Sequence, residues 1–181
     1  METTKNDLPK KVKKFFYELS DYLDTKLLYY GSIQRSDYVP GKSDIDVDIF
    51  TDNEYSLMNK MQHFLHVDKN DFEKVVWMVK GTTTTYGYKL KYTNESKKIY
   101  AEFSIYNNKF KDIISSEHKS KIVLPIYVTI LLYVLKFFYY KIPLLDKKTF
   151  ANIKRWIMNV LVSGSDSDDK FLVIDSKKRI K

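Results

Sequence analysis

The chain contains no cysteine, and it has only five glycines and four prolines among its 181 residues. Without cysteine it has no disulfide framework, no thiolate metal site and no cysteine nucleophile. The shortage of glycine and proline, beside 15 tyrosines and 11 phenylalanines, indicates a chain rich in large packing side chains and poor in loops. At this length we expect one domain, or a catalytic core with a modest helical companion.

We expect neither a membrane span nor a secretion signal. Residues 122–140 are almost wholly apolar, but Lys136 lies inside this run and Pro125 near its start. A lysine deep in a bilayer costs about 2.5–3.5 kcal/mol, so we predict a buried helix and no membrane partner. Residues 1–14 are charged and lack the apolar core of a signal peptide. We therefore expect an intracellular protein, cytoplasmic or nuclear.

The charge is unbalanced toward the basic side, with 31 Lys and Arg against 23 Asp and Glu and a net charge of +8. Such an excess raises affinity for polyanions, which include nucleic acids, nucleotides and anionic membranes. The charge alone does not choose among these partners, and many lysine-rich chains are simply soluble.

Hydrophobic periodicity predicts a mixed α and β chain with a small sheet. Helices are predicted at residues 7–24, 54–66, 110–117, 121–141 and 147–162. Strands are predicted at residues 26–30, 44–50, 74–79, 85–92 and 98–106. The four threonines at 82–85 predict a solvated turn, and residues 164–169 have the composition of a flexible linker.

Three aspartates, Asp44, Asp46 and Asp48, alternate with apolar residues in the strand predicted at 44–50 and so share one face. Carboxylates at this spacing, roughly 6–7 Å apart, repel one another and are costly to bury. The row therefore indicates either a solvated edge strand or a cation site. Oxygen ligands without neighbouring His or Cys favour Mg²⁺ or Mn²⁺.

Other aspartate motifs fit less well. A calcium-binding EF-hand loop that starts at Asp44 would need Gly at its sixth position and Glu at its twelfth, where the chain has Ile49 and Tyr55. A haloacid-dehalogenase phosphatase would want Thr or Val in place of Asp48. The short Asp-x-Asp motif of glycosyltransferases remains an open alternative.

The glycine and serine upstream make the pattern more specific. Tyr30–Ser32, a gap of eleven residues and Asp44–Asp46 resemble the signature of the DNA polymerase beta-like nucleotidyltransferases. With Asp37 and Pro40–Ser43 included, the turn is similar to that of the non-canonical poly(A) polymerase and terminal uridylyltransferase branch, with Lys42 as a one-residue insertion. The resemblance is strongest over residues 30–48 and fades past residue 145.

This resemblance implies an α+β fold, in which a small mixed β-sheet nucleotidyltransferase (palm-like) core is flanked by helices. Residues 26–118 would form the catalytic core. Residues 1–25 and 119–162 would form a reduced helical companion subdomain, and residues 163–181 a flexible basic tail.

The resemblance also implies a set of catalytic carboxylates. Asp44 and Asp46, with Glu102 from the strand predicted at 98–106, would hold two Mg²⁺ or Mn²⁺ ions. Glu102 stands where the family more usually has Asp. Asp48 departs from the family pattern, and it would either add a ligand or lie at the rim of the site.

Triphosphate contacts are expected from Gly31, Ser32 and Lys136. Gly31 would let the backbone approach the phosphates, and Ser32 would offer a hydroxyl and an N–H. Lys136 lies in a run that resembles a family helix whose lysine contacts phosphates, and a lysine in an apolar helix needs an anion or a path to water. Arg35 would either face the phosphates or lie at the surface.

The implied activity is metal-dependent transfer of a nucleoside monophosphate from an NTP, with ATP or UTP favoured, to an acceptor hydroxyl. We favour the 3′ end of RNA as the acceptor. One alternative is a minimal nucleotidyltransferase that modifies a protein or a small molecule, and another is a non-catalytic member that binds RNA or a partner. A homo-oligomer or a partner subunit could complete base recognition.

Overall fold

A computed structural model describes residues 2–79, 83–142, 144–162 and 171–174. The helices in this part of the chain are α1 (Lys10–Leu23), α2 (Glu54–Leu65), α3 (Lys111–Ser120), α4 (Ile126–Tyr140) and α5 (Lys147–Trp156). The strands are β1 (Leu28–Tyr30), β2 (Ile45–Thr51), β3 (Phe72–Val79), β4 (Thr83–Asn94), β5 (Ile99–Asn107) and β6 (Phe171–Ile174). The predicted α+β class, with a small mixed sheet flanked by helices, is confirmed.

The strands form one sheet in the order β1-β2-β5-β4-β3-β6. Strands β2 and β5 are parallel neighbours, and the other pairs are antiparallel. The register places Asp46 opposite Glu102 and Asp48 opposite Ser104. Because alternate residues of a strand point to opposite faces, the polar residues of β2 and β5 project on the same side of the sheet.

The other side of the sheet is covered by α1 and α2. The buried residues of α1 recur at helical spacing and are Val12, Phe15, Phe16, Leu19 and Leu23. They join one core with the inward residues of β2 and β5, which include Ile45, Val47, Ile49, Ala101, Phe103 and Ile105. Helix α1 therefore packs with the sheet, and this differs from the expected grouping of residues 1–25 with residues 119–162.

Helix α3 packs on the polar side of the sheet, near the end of β2. Its Ile114 joins a buried cluster that also contains Phe50, Trp77, Val79, Tyr106 and Phe110. Asp44 is exposed and Asp46 is half-buried at the opposite end of β2. The sheet thus has one polar, accessible region beside the apolar cluster.

Helices α4 and α5 pack against each other in a third buried cluster. Helix α4 begins at Ile126 and not at residue 121, because Pro125 restricts the residue before it to extended backbone. Its 15 residues span about 22 Å, which is less than the roughly 30 Å of a bilayer core. Within the described residues, no helix has both the length and the apolar character needed to cross a membrane.

Two expectations about loops were wrong. Thr83–Thr85 begin β4, and the buried Thr85 hydroxyl donates to the Trp77 carbonyl at 2.9 Å, so they do not form a solvated turn. Thr82 lies outside the described residues. In the expected flexible tail, Phe171–Ile174 instead pair with β3, because β3 offers a free edge for backbone hydrogen bonds. The remainder of residues 163–181 lies outside the described part.

Candidate active site

The turn after β1 is fitted around the carboxylate of Asp46. Residues Gly31–Gln34 form a 3₁₀ turn, and Gly31 has φ of 68°, in the left-handed region. A Cβ built on Gly31 would lie 2.0 Å from Oδ2 of Asp46. The missing side chain of Gly31 therefore makes room for this carboxylate. Ser32 follows in the turn and is buried.

Asp46 also faces Glu102 across the two parallel strands. The two residues are Cα partners, and neighbouring strands lie about 4.8 Å apart. Asp44 precedes β2 and is exposed. The structure thus brings Gly31, Asp46 and Glu102 together, with Asp44 at the entrance.

Burial and like charges act together on Asp46. Burial raises its pKa from the ordinary 3.8 to about 6, and the negative charges of Glu102 and Asp44 add to this rise. The positive charges of Lys154 and Lys89 oppose it. Near neutral pH the carboxylate is mostly ionised, but its charge is only partly balanced by the protein.

Glu102 is engaged by a lysine from the neighbouring strand β4. The Lys89 ammonium donates to Oε1 of Glu102 at 2.5 Å, and both side chains are 20% exposed. The apolar residues that flank Glu102 in sequence, Ala101 and Phe103, are buried on the other face, as the alternation predicted.

The residues of this site fit a divalent cation by their chemistry. Asp44, Asp46 and Glu102 offer only carboxylate oxygens, which suit Mg²⁺ or Mn²⁺, and the raised pKa of Asp46 reflects an unmet need for positive charge. Within the described residues, however, no three His, Asp or Glu side chains already converge as a metal cage. In this arrangement Glu102 contacts the Lys89 ammonium through Oε1.

Asp48 is not exposed at the rim of the site, and it is not free to act as an additional metal ligand beside Asp46. It is buried, and its Oδ2 lies 2.6 Å from Nδ1 of His118 in α3. The His118 ring stacks on Tyr30 at 4.0 Å and on Trp77 at 5.7 Å between ring centroids. Burial raises the pKa of Asp48, and His118 opposes this rise. The pair therefore fixes the last turn of α3 on β2.

Lys136 is buried and contacts Asp37, in the loop between the 3₁₀ turn and β2. Its ammonium lies 2.8 Å from Oδ2 of Asp37 and donates to the Asp37 carbonyl at 2.6 Å. Arg35 also binds Asp37, through Nε at 2.8 Å. Arg35 is buried and does not lie at the surface. Burial lowers the pKa of Lys136, and Asp37 opposes this. This cluster attaches α4 to the turn, and a phosphate contact of Lys136 stays a prediction.

A second lysine of the helical pair, Lys154, acts on the carboxylates through its charge. After burial, Lys154 has the largest effect on the pKa of Asp46, and its charge also acts on Lys136. Lys154 is half-buried and shares one face of α5 with the buried Phe150 and Ile157, at spacings of four and three residues. Its positive charge is therefore directed toward the region between Asp46 and Lys136.

Sequence reasoning missed Lys89, His118 and Lys154. The alternation of Lys89 and Lys91 around the apolar Leu90 indicates a shared polar face, but the strand register is needed to bring Lys89 to Glu102. His118 and Lys154 reach the site from helices distant in sequence, and no local pattern marks them.

A family model described as a nucleotidyltransferase domain matches residues 9–156. No curated protein matches the chain.

Two solved structures of Cid1 are similar to the chain. One, of Cid1 in complex with the UTP analogue UMPNPP, has 16% identity and a TM-score of 0.40, over 70% of this chain and 39% of that one. The other, of the Cid1 poly(U) polymerase, has 15% identity and a TM-score of 0.36, over 71% and 41%. The chain spans about two fifths of the length of these structures.

Proposed function

Because the chain belongs to the nucleotidyltransferase domain family, we propose that it transfers a nucleoside monophosphate from an NTP to an acceptor hydroxyl, with the 3′ end of RNA as the first candidate. The observation that carries this proposal is the position of the Asp46 carboxylate, against Gly31 on one side and opposite Glu102 on the other. That arrangement joins the Gly-Ser turn to two carboxylates, as the sequence motif predicted.

Asp44, Asp46 and Glu102 would hold the divalent cations, which the family resemblance gives as two Mg²⁺ or Mn²⁺ ions. When bound, such ions neutralise triphosphate charge and lower the pKa of the attacking hydroxyl. The chain itself supplies carboxylates at fixed positions, because Asp46 and Glu102 belong to paired strands and Asp44 directly precedes one of them.

Binding of the triphosphate would use the turn and the two lysines. Gly31 lies against Asp46 and Ser32 follows it in the same turn, and the backbone N–H groups of such turns are suited to phosphate oxygens. Lys154 adds a positive charge near Asp46, while Lys136 holds the turn through Asp37. Positioning and charge stabilisation of this kind account for most catalysis of phosphoryl transfer.

RNA is favoured as the acceptor by the net charge of +8 and by the motif that resembles the poly(A) polymerase and terminal uridylyltransferase branch. ATP and UTP are the nucleotides favoured by the same motif. A protein or small-molecule acceptor, or binding of RNA without catalysis, remains the alternative, and the acceptor has to be measured.

A transfer assay tests the proposal. The protein is mixed with Mg²⁺ or Mn²⁺, a single-stranded RNA and each α-labelled NTP in turn, with the Asp44→Ala/Asp46→Ala double variant as the control. Label on RNA with the unchanged protein alone supports terminal transfer and identifies the base. Label on protein favours the alternative acceptor, and no transfer under any condition contradicts the proposal.

A further inference from the structure

Strand β4 presents two lysines to the carboxylate face of the sheet. In the register of β4 with β5, Lys89 is opposite Ser104 and Lys91 is opposite Glu102. Leu90 between them is fully buried on the other face, so both lysines project toward the site. Lys91 is exposed, whereas Lys89 is half-buried and reaches Glu102.

The Lys89 ammonium acts on more than one carboxylate. It donates to Glu102 at 2.5 Å. Its charge also lowers the pKa of Asp46 and Asp48, against the burial that raises both. One ammonium thus interacts with three acidic side chains, as a bound cation would.

We propose that Lys89 is a built-in competitor for the divalent cation at Glu102: its ammonium neutralises this carboxylate in the metal-free protein and opposes the binding of an ion there. The inference rests on the proposed function, since it assumes that Glu102 is a metal ligand. An ammonium and a divalent cation repel each other, so each weakens the hold of the other on the same carboxylate, even where they use different oxygens. The flexible four-carbon stem lets Lys89 move away without a change in the strand.

An order of binding follows from this competition. Asp44 is exposed and the Asp46 carboxylate faces Gly31, so an ion can contact this pair while Lys89 stays on Glu102. The ion that uses Glu102 binds later and more weakly. Lys89 would therefore raise the cation concentration at which the site is completely filled.

Calorimetric titration with Mn²⁺, in the absence of nucleotide and RNA, tests the proposal without relying on turnover. Lys89→Gln should tighten Mn²⁺ binding about tenfold, because Glu102 loses its internal counter-ion. Lys91→Gln is the matched control, since it removes the same charge from the same face of the same strand, and it should change the affinity less than about threefold. In Lys89→Gln/Glu102→Gln the gain should disappear.

Lys89→Arg gives a second measurement that does not depend on the stability of Lys89→Gln. A guanidinium holds a carboxylate through two hydrogen bonds, so this variant should bind Mn²⁺ more weakly than the unchanged protein. Equal effects of Lys89→Gln and Lys91→Gln, or no effect of Lys89→Gln, would overturn the proposal.

The same preparations are used in the transfer assay, which separates the two proposals. Transfer by the unchanged protein, with Mn²⁺ affinity insensitive to Lys89, refutes the competition alone. Absence of both Mn²⁺ binding and transfer in every preparation refutes the competition and the proposed function together. Tighter Mn²⁺ binding by Lys89→Gln without any transfer supports the competition and removes the catalytic proposal.

Discussion

The carboxylate of Asp46 occupies the space that a side chain on Gly31 would need. A Cβ at Gly31 would lie 2.0 Å from Oδ2 and 2.9 Å from Cγ of Asp46. Gly41 has a similar φ, 70° against 68°, but no heavy atom lies within 4 Å of a Cβ built there. Substitution of each glycine by alanine therefore distinguishes the cost of left-handed backbone, which both variants carry, from the cost of displacing Asp46, which only the Gly31 variant carries.

Gly31→Ala should abolish nucleotidyl transfer, with a loss of at least about 100-fold, because the new methyl group displaces the Asp46 carboxylate, which we propose to be catalytic. Gly41→Ala carries the same backbone cost of about 1–2 kcal/mol without the displacement, and it should retain most of the activity. Activity and thermal unfolding of both variants check this. Equal losses of activity would show that backbone strain, and not the position of Asp46, is responsible.

Asp46→Asn should stabilise the metal-free protein near neutral pH. Because burial raises the pKa of Asp46 from 3.8 to about 6, the native state favours the protonated carboxyl. The stability that this group contributes is complete below about pH 4 and is lost as the pH rises through about 6. The gain from Asp46→Asn should therefore be near zero at about pH 4 and reach at most about 3 kcal/mol at about pH 8.

Urea unfolding with EDTA, over this pH range, measures the gain. Asp44→Asn is the control, because Asp44 is exposed and should give no comparable gain. Both variants should lose transfer, and added Mn²⁺ should stabilise the unchanged protein more than Asp46→Asn. Destabilisation by Asp46→Asn at about pH 8 would contradict the burial argument.

His118→Ala should destabilise the protein by about 3 kcal/mol, because it leaves the buried Asp48 without its partner. The pKa of Asp48 is already raised by burial, so the loss should shrink at low pH, where this carboxyl takes up a proton. The double variant Asp48→Asn/His118→Ala should be more stable than His118→Ala. His63→Ala, at an exposed position of α2, should change the unfolding free energy little.

Lys136→Met distinguishes a structural role from a phosphate contact. Breaking its buried pair with Asp37 should destabilise the protein by about 3 kcal/mol. Lys136→Met/Asp37→Asn should recover part of this stability, because the unbalanced charge is removed. If nucleotide affinity recovers with stability, Lys136 acts by holding the turn. If affinity stays low in a stable double variant, Lys136 contacts the phosphates.

Lys154→Gln should raise the KM for the NTP about tenfold, because the positive charge of Lys154 acts at Asp46. Thermal stability should stay nearly unchanged, because Lys154 forms no buried ion pair among the described residues. Lys148→Gln, in the exposed first turn of α5, is the control of equal charge. Steady-state kinetics at fixed Mg²⁺ give the comparison. A KM that responds equally to both changes would indicate a general effect of net charge.

The polar face of the sheet shows how far sequence reasoning could go. Alternation assigned Asp46 and Glu102 to strand faces opposite the buried Val47 and Phe103, and the register places the two acidic residues side by side. The same alternation could not separate Asp48 from them. Its role depends on His118, which arrives from a helix 70 residues later in the chain.

Lys136 likewise shows which features the sequence could predict and which it could not. The apolar run around Lys136 predicted a buried helix with one charge that needs an anion. Only one face of α4 is buried, and Ile130, Val134 and Phe137 are exposed, so the helix as a whole is not buried. The charge does have an anion, which is Asp37, 99 residues away in sequence. That carboxylate could not be identified from sequence, because an ion pair depends on the distance between side chains and not on the residue type alone. The predicted phosphate role of Lys136 is therefore a question for the double variant.

By itself the sequence determined the α+β class, the Gly-Ser turn and the acidic strands, because these depend on local periodicity and backbone freedom. Tertiary structure alone decided which basic side chain meets which carboxylate: Lys89 at Glu102, His118 at Asp48 and Lys136 at Asp37. The physical reason is that burial and charge balance are set by strand register and helix packing. Both bring together groups that no local pattern connects.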